Sequence, residues 1–198
     1  MRIMLDVSPA KLARYSDKYN YAFWQLRTPL TGNTIGSMPY GLDNGCYTEF
    51  KRLTWDRMLN EAEDKRPVFV CLPDVVGDAR RTLDLFTYFE SHTSGLPRAL
   101  VLQDGIGDFS IPWDQLDAVF VGGSDKFKTS PECLNACKAA KMIGKWVHVG
   151  RVNEPRRFQQ WVGLADSCDG SGISRFDHML ETVLDVIRNG HPQHELIQ

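Results

Sequence analysis

The sequence predicts an α/β fold, a compact (β/α)8 barrel of the TIM type, on three observations. Short apolar runs recur along all 198 residues, most of them continuous, as parallel strands buried on both faces require. Between them lie stretches with helical periodicity and readable caps. About eight such units fit one closed sheet, on a chain short for that fold. A doubly wound open sheet is the alternative, because the first two strands have the weakest pattern.

The first strand is expected at Arg2–Leu5, followed by a helix that Ser8-Pro9 opens, with Ser at the N-cap and Pro at N1. Ala22–Gln25 and Met38–Leu42 are the second and third strands. Thr54 can cap a helix running to about Asp64, ahead of a fourth strand at Val68–Leu72. Ala99–Leu102 and Ala118–Val121 follow, and Ser130-Pro131 repeats the Ser-Pro device. Trp146–Val149 is the seventh strand, with Phe158, Trp161 and Val162 at helical spacing before the eighth at Ala165–Cys168. Ser174-x-x-Asp177 is close to a capping box for the last helix, whose stripe is Phe176, Met179, Leu180, Val183 and Ile187. No linker or solenoid repeat interrupts the pattern, so residues 1–198 form one domain, with 190–198 a frayed tail.

Composition narrows the function. With 42% hydrophobic and 11% aromatic residues the chain is not disordered. Its 23 Lys+Arg against 25 Asp+Glu argue against sequence-independent coating of nucleic acid, though not against a local basic rim. No apolar run approaches the roughly 20 residues of a membrane span. Met1 to Asp6 is too short and too soon charged for a secretory signal, and the five cysteines are odd in number and scattered. A reducing cytoplasm is therefore expected, without disulfides. Cys133 and Cys137 share a helical face and read as core. Two thiols without a second pair or a His do not make a zinc site, so no metal is expected.

In either architecture the active site lies at the carboxyl ends of the strands. There the sequence reads Leu42-Asp43-Asn44-Gly45-Cys46-Tyr47, then Leu72-Pro73-Asp74, then Leu102-Gln103-Asp104-Gly105. Val121-Gly122-Gly123-Ser124, Val149-Gly150-Arg151 and Asp166-Ser167-Cys168-Asp169-Gly170 complete the set. Carboxylates converging on one cavity cannot all ionise cheaply, which separates a general acid from an ionised nucleophile or base. Gln103 can read an amide-like edge and Asp74 an N–H/NH2 edge. Gly122-Gly123 permits close approach of a flat ligand, and Tyr47 can stack on it. Together these residues describe a pocket for a heterocyclic base attached to a sugar. Singly they are ordinary: Asp43-Asn44-Gly45 is a common turn, Gly122-Gly123 a tight βα turn, Asp78 and Asp177 helix caps or first-turn acids. His148 reads as a satisfied core or cavity residue, the five tryptophans as packing, and His92, His178, His191 and His194 as solvent residues. Joint placement lifts the list above its members.

In order and spacing, Tyr40 to Arg175 resembles the tRNA-guanine transglycosylase superfamily, and more closely its phage-type members that modify DNA. Asp43-Asn44-Gly45-Cys46-Tyr47 resembles the family's Asp-Ser-Gly-Gly-aromatic motif, in which the Asp is a general acid/base candidate and the aromatic stacks on the base. Asp74 falls at a base-recognising Asp. Leu102-Gln103-Asp104-Gly105 resembles Val-Gln-Gly-Gly, whose Gln reads the purine carbonyl edge, and Gly122-Gly123 matches the Gly-Gly that completes the pocket. Val149-Gly150 resembles the strand end whose apolar residue forms the second wall. Ala165 to Asp169 with Ser174-Arg175 resembles Val-Asp-Met-Phe-Asp and its downstream Pro-Thr-Arg, which places the nucleophile at Asp169. The family's Cys-x-Cys-x-x-Cys…His zinc site has no counterpart after Arg175, and Asn44 and Cys46 replace Ser and Gly. The missing zinc module favours DNA, or an unknown small target, over tRNA.

The resemblance implies a pentosyltransferase that exchanges guanine in DNA for free guanine or a 7-deazaguanine through a covalent Asp169–nucleotide intermediate, with no cofactor, in a host cytoplasm if phage-encoded. Lys126, Lys128, Arg151 and Arg175 follow strand ends six to eight and are the candidates for holding phosphates, with Arg156 and Arg157 beside them in a helix. The competing readings are a nucleoside or N-glycoside hydrolase using the same carboxylates, base exchange on tRNA, and a non-catalytic barrel that binds a base or nucleic acid.

Overall fold

The computed structural model describes residues 1–93 and 95–189, so the tail expected to fray, with His191 and His194, lies outside the described residues. Eight parallel strands close into a barrel in chain order: β1 Arg2–Leu5, β2 Trp24–Arg27, β3 Tyr40–Leu42, β4 Phe69–Cys71, β5 Arg98–Leu102, β6 Ala118–Val121, β7 Trp146–Val149 and β8 Ser167–Asp169. The ring shuts where β8 pairs with β1, in the register Ile3 to Cys168 and Met4 to Asp169. An open doubly wound sheet is thereby excluded.

Alternation along each short strand makes two cores. Met4, Leu26, Phe69, Cys71, Ala99, Val101 and Ala118 fill the barrel, with Phe120 and the stacked pair Trp24 and Trp146 (ring centroids 5.7 Å apart) packed against them. Ile3, Leu5, Leu42, Val70, Leu100, Val119, Val147 and Val149 point outward to the helices. Gly41 occupies an inward position because a Cβ there would lie 2.4 Å from the Phe69 ring.

The helices are α1 Pro9–Tyr19, α2 Arg52–Asp64, α3 Ala79–Phe89, α4 Asp125–Lys128, α5 Pro131–Met142, α6 Pro155–Trp161, α7 Ser171–Arg175 and α8 Asp177–Arg188. Ser8 and Ser130 cap α1 and α5 by accepting the amides of Lys11 and Cys133, each with Pro at the first turn. Asp78 likewise caps α3 through the amide of Arg81. Cys133 and Cys137 are buried together on α5.

Four local expectations are corrected. The second strand lies two residues later than Ala22–Gln25, and the eighth two later than Ala165–Cys168. Thr54 sits inside α2, which starts at Arg52 without a side-chain cap. The Ser174/Asp177 box does not form: the Ser174 hydroxyl accepts the Asp6 amide across the ring (3.1 Å), and Asp177 binds Tyr15 and Lys18 at 2.5 and 2.7 Å.

Nor does a helix follow every strand. The outward residues of β2 are Gln25 and Arg27, which an apolar helix face could not satisfy. Loop carbonyls take that place: the Gln25 amide donates to Val7 and Thr34, and Arg27 Nε donates to Asn33. After β5, Pro112 and the glycines at 105 and 107 leave only 3-10 turns, at Ile106–Asp108 and Trp113–Gln115.

Candidate active site

A cavity of about 280 Å³ opens at the carboxyl ends of the strands, close to the size that takes a base or nucleoside. Asp43, Asp74, Gln103, Gly122, Gly123 and Asp169 line it, as do Tyr47, Gly150, Arg151 and Arg175 from the loops above. They end or follow six strands, β3 to β8, so the barrel gathers residues that lie up to 132 positions apart, from Asp43 to Arg175. Val149, Lys126 and Lys128 do not line it. Val149 alternates with the inward His148 and is buried in the outer core. The inner walls come from Phe120, Val101 and Leu26 instead.

Asp169 is only 15% exposed, and one of its oxygens is held from below. His148 Nε2 lies 3.1 Å from Asp169 Oδ1, His148 Nδ1 is 2.8 Å from Ser167 Oγ, and Trp146 Nε1 donates to that hydroxyl at 2.9 Å. His148 is fully buried between the rings of Phe69 and Phe120, at 4.9 and 4.6 Å between centroids. When Ser167 donates to Nδ1, the neutral ring presents Nε2–H to the carboxylate. Oδ1 is thus fixed, and the second oxygen of Asp169 is left to the cavity.

Asp74 is clamped from both sides. Asn44 Nδ2 donates to Oδ1 at 2.8 Å and Gln103 Nε2 to Oδ2 at 2.6 Å. Asn44 also donates to the carbonyl of Leu72 and accepts the amide of Cys46, while Gln103 Oε1 accepts the amide of Gly77. Each Asp74 oxygen retains a lone pair, so the carboxylate offers two parallel acceptors suited to an N–H/NH2 edge. Burial raises its pKa, against these donated hydrogen bonds. Gln103 is almost fully buried with both ends of its amide engaged, so it is chiefly a strut for Asp74 and reaches a ligand only through its remaining N–H and lone pair.

Asp43 titrates differently. Burial, then the charges of Asp169 and Asp74, push its pKa up to about 7, so it exchanges a proton near neutrality. A fourth acid, Asp6, closes the ring at the end of β1. Thr31 and Asn33 donate to its carboxylate (2.7 and 3.0 Å), and burial raises its pKa despite them, with Asp169 adding to the rise. Asp6 is absent from the strand-end residues taken from the sequence, which begin at the third strand. Applying the same rule to the first strand finds it.

The roof joins opposite sides of the mouth. The Arg151 guanidinium lies 4.3 Å from the ring centroid of Tyr47 and donates to the carbonyl of Gly123. Arg151 adopts φ 61°, a left-handed conformation uncommon for a residue with a side chain. Gly122 packs so closely that a Cβ would lie 2.7 Å from Val101 and 2.8 Å from Gln103 Nε2. Arg175 is exposed at the rim, as is Lys126 farther out, whereas Lys128 is buried with its ammonium on the carbonyl of Gly150.

No group of three or more His, Cys, Asp or Glu among the described residues is arranged to hold a metal ion, and no helix there is long and apolar enough to cross a membrane. The five cysteines are free thiols. Neither a family model nor a curated protein matches the chain. Fold and cavity together define a (β/α)8 barrel with a carboxylate-lined pocket at the carboxyl ends of its strands.

Proposed function

We propose that the protein is a base-exchange pentosyltransferase that removes guanine from DNA and installs a 7-deazaguanine through an ester to Asp169. The observation that carries this reading is the division of labour among the acids. Asp169 has one oxygen tied to a buried His148 and one facing the cavity, Asp43 is poised to move a proton near pH 7, and Asp74 is clamped as a double acceptor.

In the first step the free oxygen of Asp169 attacks the anomeric carbon of the nucleotide. The C–N glycosidic bond breaks as the C–O ester forms, and guanine leaves with its electron pair neutralised by the proton of Asp43. In the second step the incoming base gives its ring N–H proton to Asp43, and its nitrogen displaces Asp169. Asp74 holds the donor edge of each base in turn. Stacking on an aromatic such as Tyr47, once Arg151 yields that face, adds about 1–3 kcal/mol. A base in a duplex must first be flipped out, at a cost of a few kcal/mol. DNA is the proposed polymer because the resemblance is closest to DNA-modifying members.

The test is incorporation of radiolabelled guanine into duplex DNA, with tRNA and an Asp169→Ala variant alongside. Label in DNA, absent from tRNA and lost in the variant by at least about 10³-fold, supports the proposal. Label in tRNA alone reassigns the polymer. Release of guanine without incorporation makes the enzyme a hydrolase, and tight purine binding without turnover makes it a binding module.

A further inference from the structure

A second cavity, of about 230 Å³, shares the Gly150–Arg151 segment with the first. Its walls carry four cations, Lys128, Arg151, Arg156 and Arg157, against two carboxylates, Asp125 and Glu154. One of those carboxylates is already committed, because Arg157 binds Asp125 through both nitrogens at 2.8 and 2.7 Å. Lys128 is 5% exposed, and its described hydrogen bond is to the neutral carbonyl of Gly150, which leaves two of its three N–H donors. A buried ammonium without an anionic partner is costly. Here burial, with Arg151 adding, pushes the Lys128 pKa down to about 8, against the opposing charges of Asp169 and Asp125, neither of which is in ion-pair contact with it. The cavity therefore has an excess of cationic donors, one of them enclosed, and space for an anion with several oxygens.

We propose that this cavity seats a phosphate of the nucleic-acid strand beside the base held in the central pocket. The assignment to a strand rests on the base-exchange reading; the phosphate chemistry does not. The shared wall supports it, since the two faces of Gly150–Arg151 contact both cavities and a ligand spanning them stays within one stretch of chain. A phosphate would bring Lys128 an anion in direct contact, which Asp169 and Asp125 act on only from a distance, and engage Arg156, which is exposed at the edge.

The test measures binding of a fluorescent single-stranded oligodeoxynucleotide and of inorganic phosphate to the wild type, Lys128→Met and Arg156→Glu, with free guanine as the control ligand. The expected result is a rise in oligonucleotide Kd of about tenfold or more in both variants, a shallower salt dependence, and a guanine Kd changed by less than about twofold. Inorganic phosphate that binds as tightly as the oligonucleotide, and is lost in the same variants, overturns the strand assignment in favour of a free phosphate. Unchanged binding of both ligands to folded variants overturns the site. Should Lys128→Met not fold, Arg156→Glu carries the test alone, because its side chain is exposed. Absent base exchange with strand binding still dependent on Lys128 and Arg156 removes the proposed reaction and leaves this site standing.

Discussion

His148 Nε2 and Asp169 Oδ1 are 3.1 Å apart, one at the floor of the cavity and the other at its wall. The imidazole cannot swing, because Phe69 and Phe120 pack on either side and Ser167 holds its other nitrogen. A hydrogen bond to a charged group contributes about 1.5–3 kcal/mol. His148→Leu should therefore lower kcat about 10- to 100-fold with little change in KM for the base. His148→Gln, which can still donate to Asp169, should recover part of that loss. Equal kcat for His148→Leu and wild type would show that Asp169 does not need the contact.

Asp43 should give the protein a pH signature. Its folded pKa, about 7, is above the ordinary carboxylate value of 3.8, so its share of stability is complete below that value and is lost as pH rises through 7. Asp43→Asn removes the loss. With solvent reaching the cavity taken into account, it should gain about 2 kcal/mol at pH 8, or roughly 4–8 °C in Tm, and almost nothing at pH 4. In the proposed reaction the same proton neutralises the departing guanine, so wild-type kcat/KM should fall above about pH 7. A Tm difference independent of pH would remove Asp43 as the titrating acid.

Gly122→Ala should damage binding more than folding. The added methyl meets Gln103 Nε2 at 2.8 Å and Val101 at 2.7 Å, displacing the strut that holds Asp74. Overpacking of this kind costs about 1–3 kcal/mol. Guanine affinity measured by calorimetry should fall while the far-ultraviolet circular dichroism stays unchanged.

Asn44→Ala should leave Asp74 held from one side and the carbonyl of Leu72 without its donor. An unsatisfied buried group costs about 1–3 kcal/mol, which denaturant unfolding can read. Asn44→Ser, the residue the resemblance would place there, reaches less far, so base affinity should lie between alanine and wild type.

The fold was legible because four of the eight strands are apolar throughout or after an opening Arg, and Ser-Pro or Asp marks several of the helix starts. The β2 strand was misplaced because its outward residues are polar, Gln25 held by loop carbonyls and Arg27 by the carbonyl of Asn33 and by Glu61 of α2, a tertiary arrangement with no local signature. At β8 the apolar Ala165 suggested an early start, whereas pairing with β1 begins at Ser167. Strand-end position found Asp43, Asp74, Gln103 and Asp169 without any contact information, because topology alone brings them together. The same reasoning could not assign Val149 its outward face, since a four-residue apolar strand does not announce which residues point in. His148 read as a core residue for a related reason, as it is buried like one and only its partners make it part of the site.

The pairing of Met4 with Asp169 orders events as the chain matures. Asp43, Asp74 and Gln103 follow the consecutive, neighbouring strands β3, β4 and β5, so the proposed base-reading side of the pocket is built from contacts close in sequence. Asp169, the proposed nucleophile, takes its place only when the last strand meets the first, the contact of greatest sequence separation in the sheet, and closing such a long loop carries the largest entropic cost. On the proposed reading, a molecule with an unclosed ring keeps the side of the pocket that carries Asp43, Asp74 and Gln103 but lacks Asp169 in its place. For the proposed reaction, ring closure is thus a built-in safety catch: Asp169 is in place only when the barrel is whole.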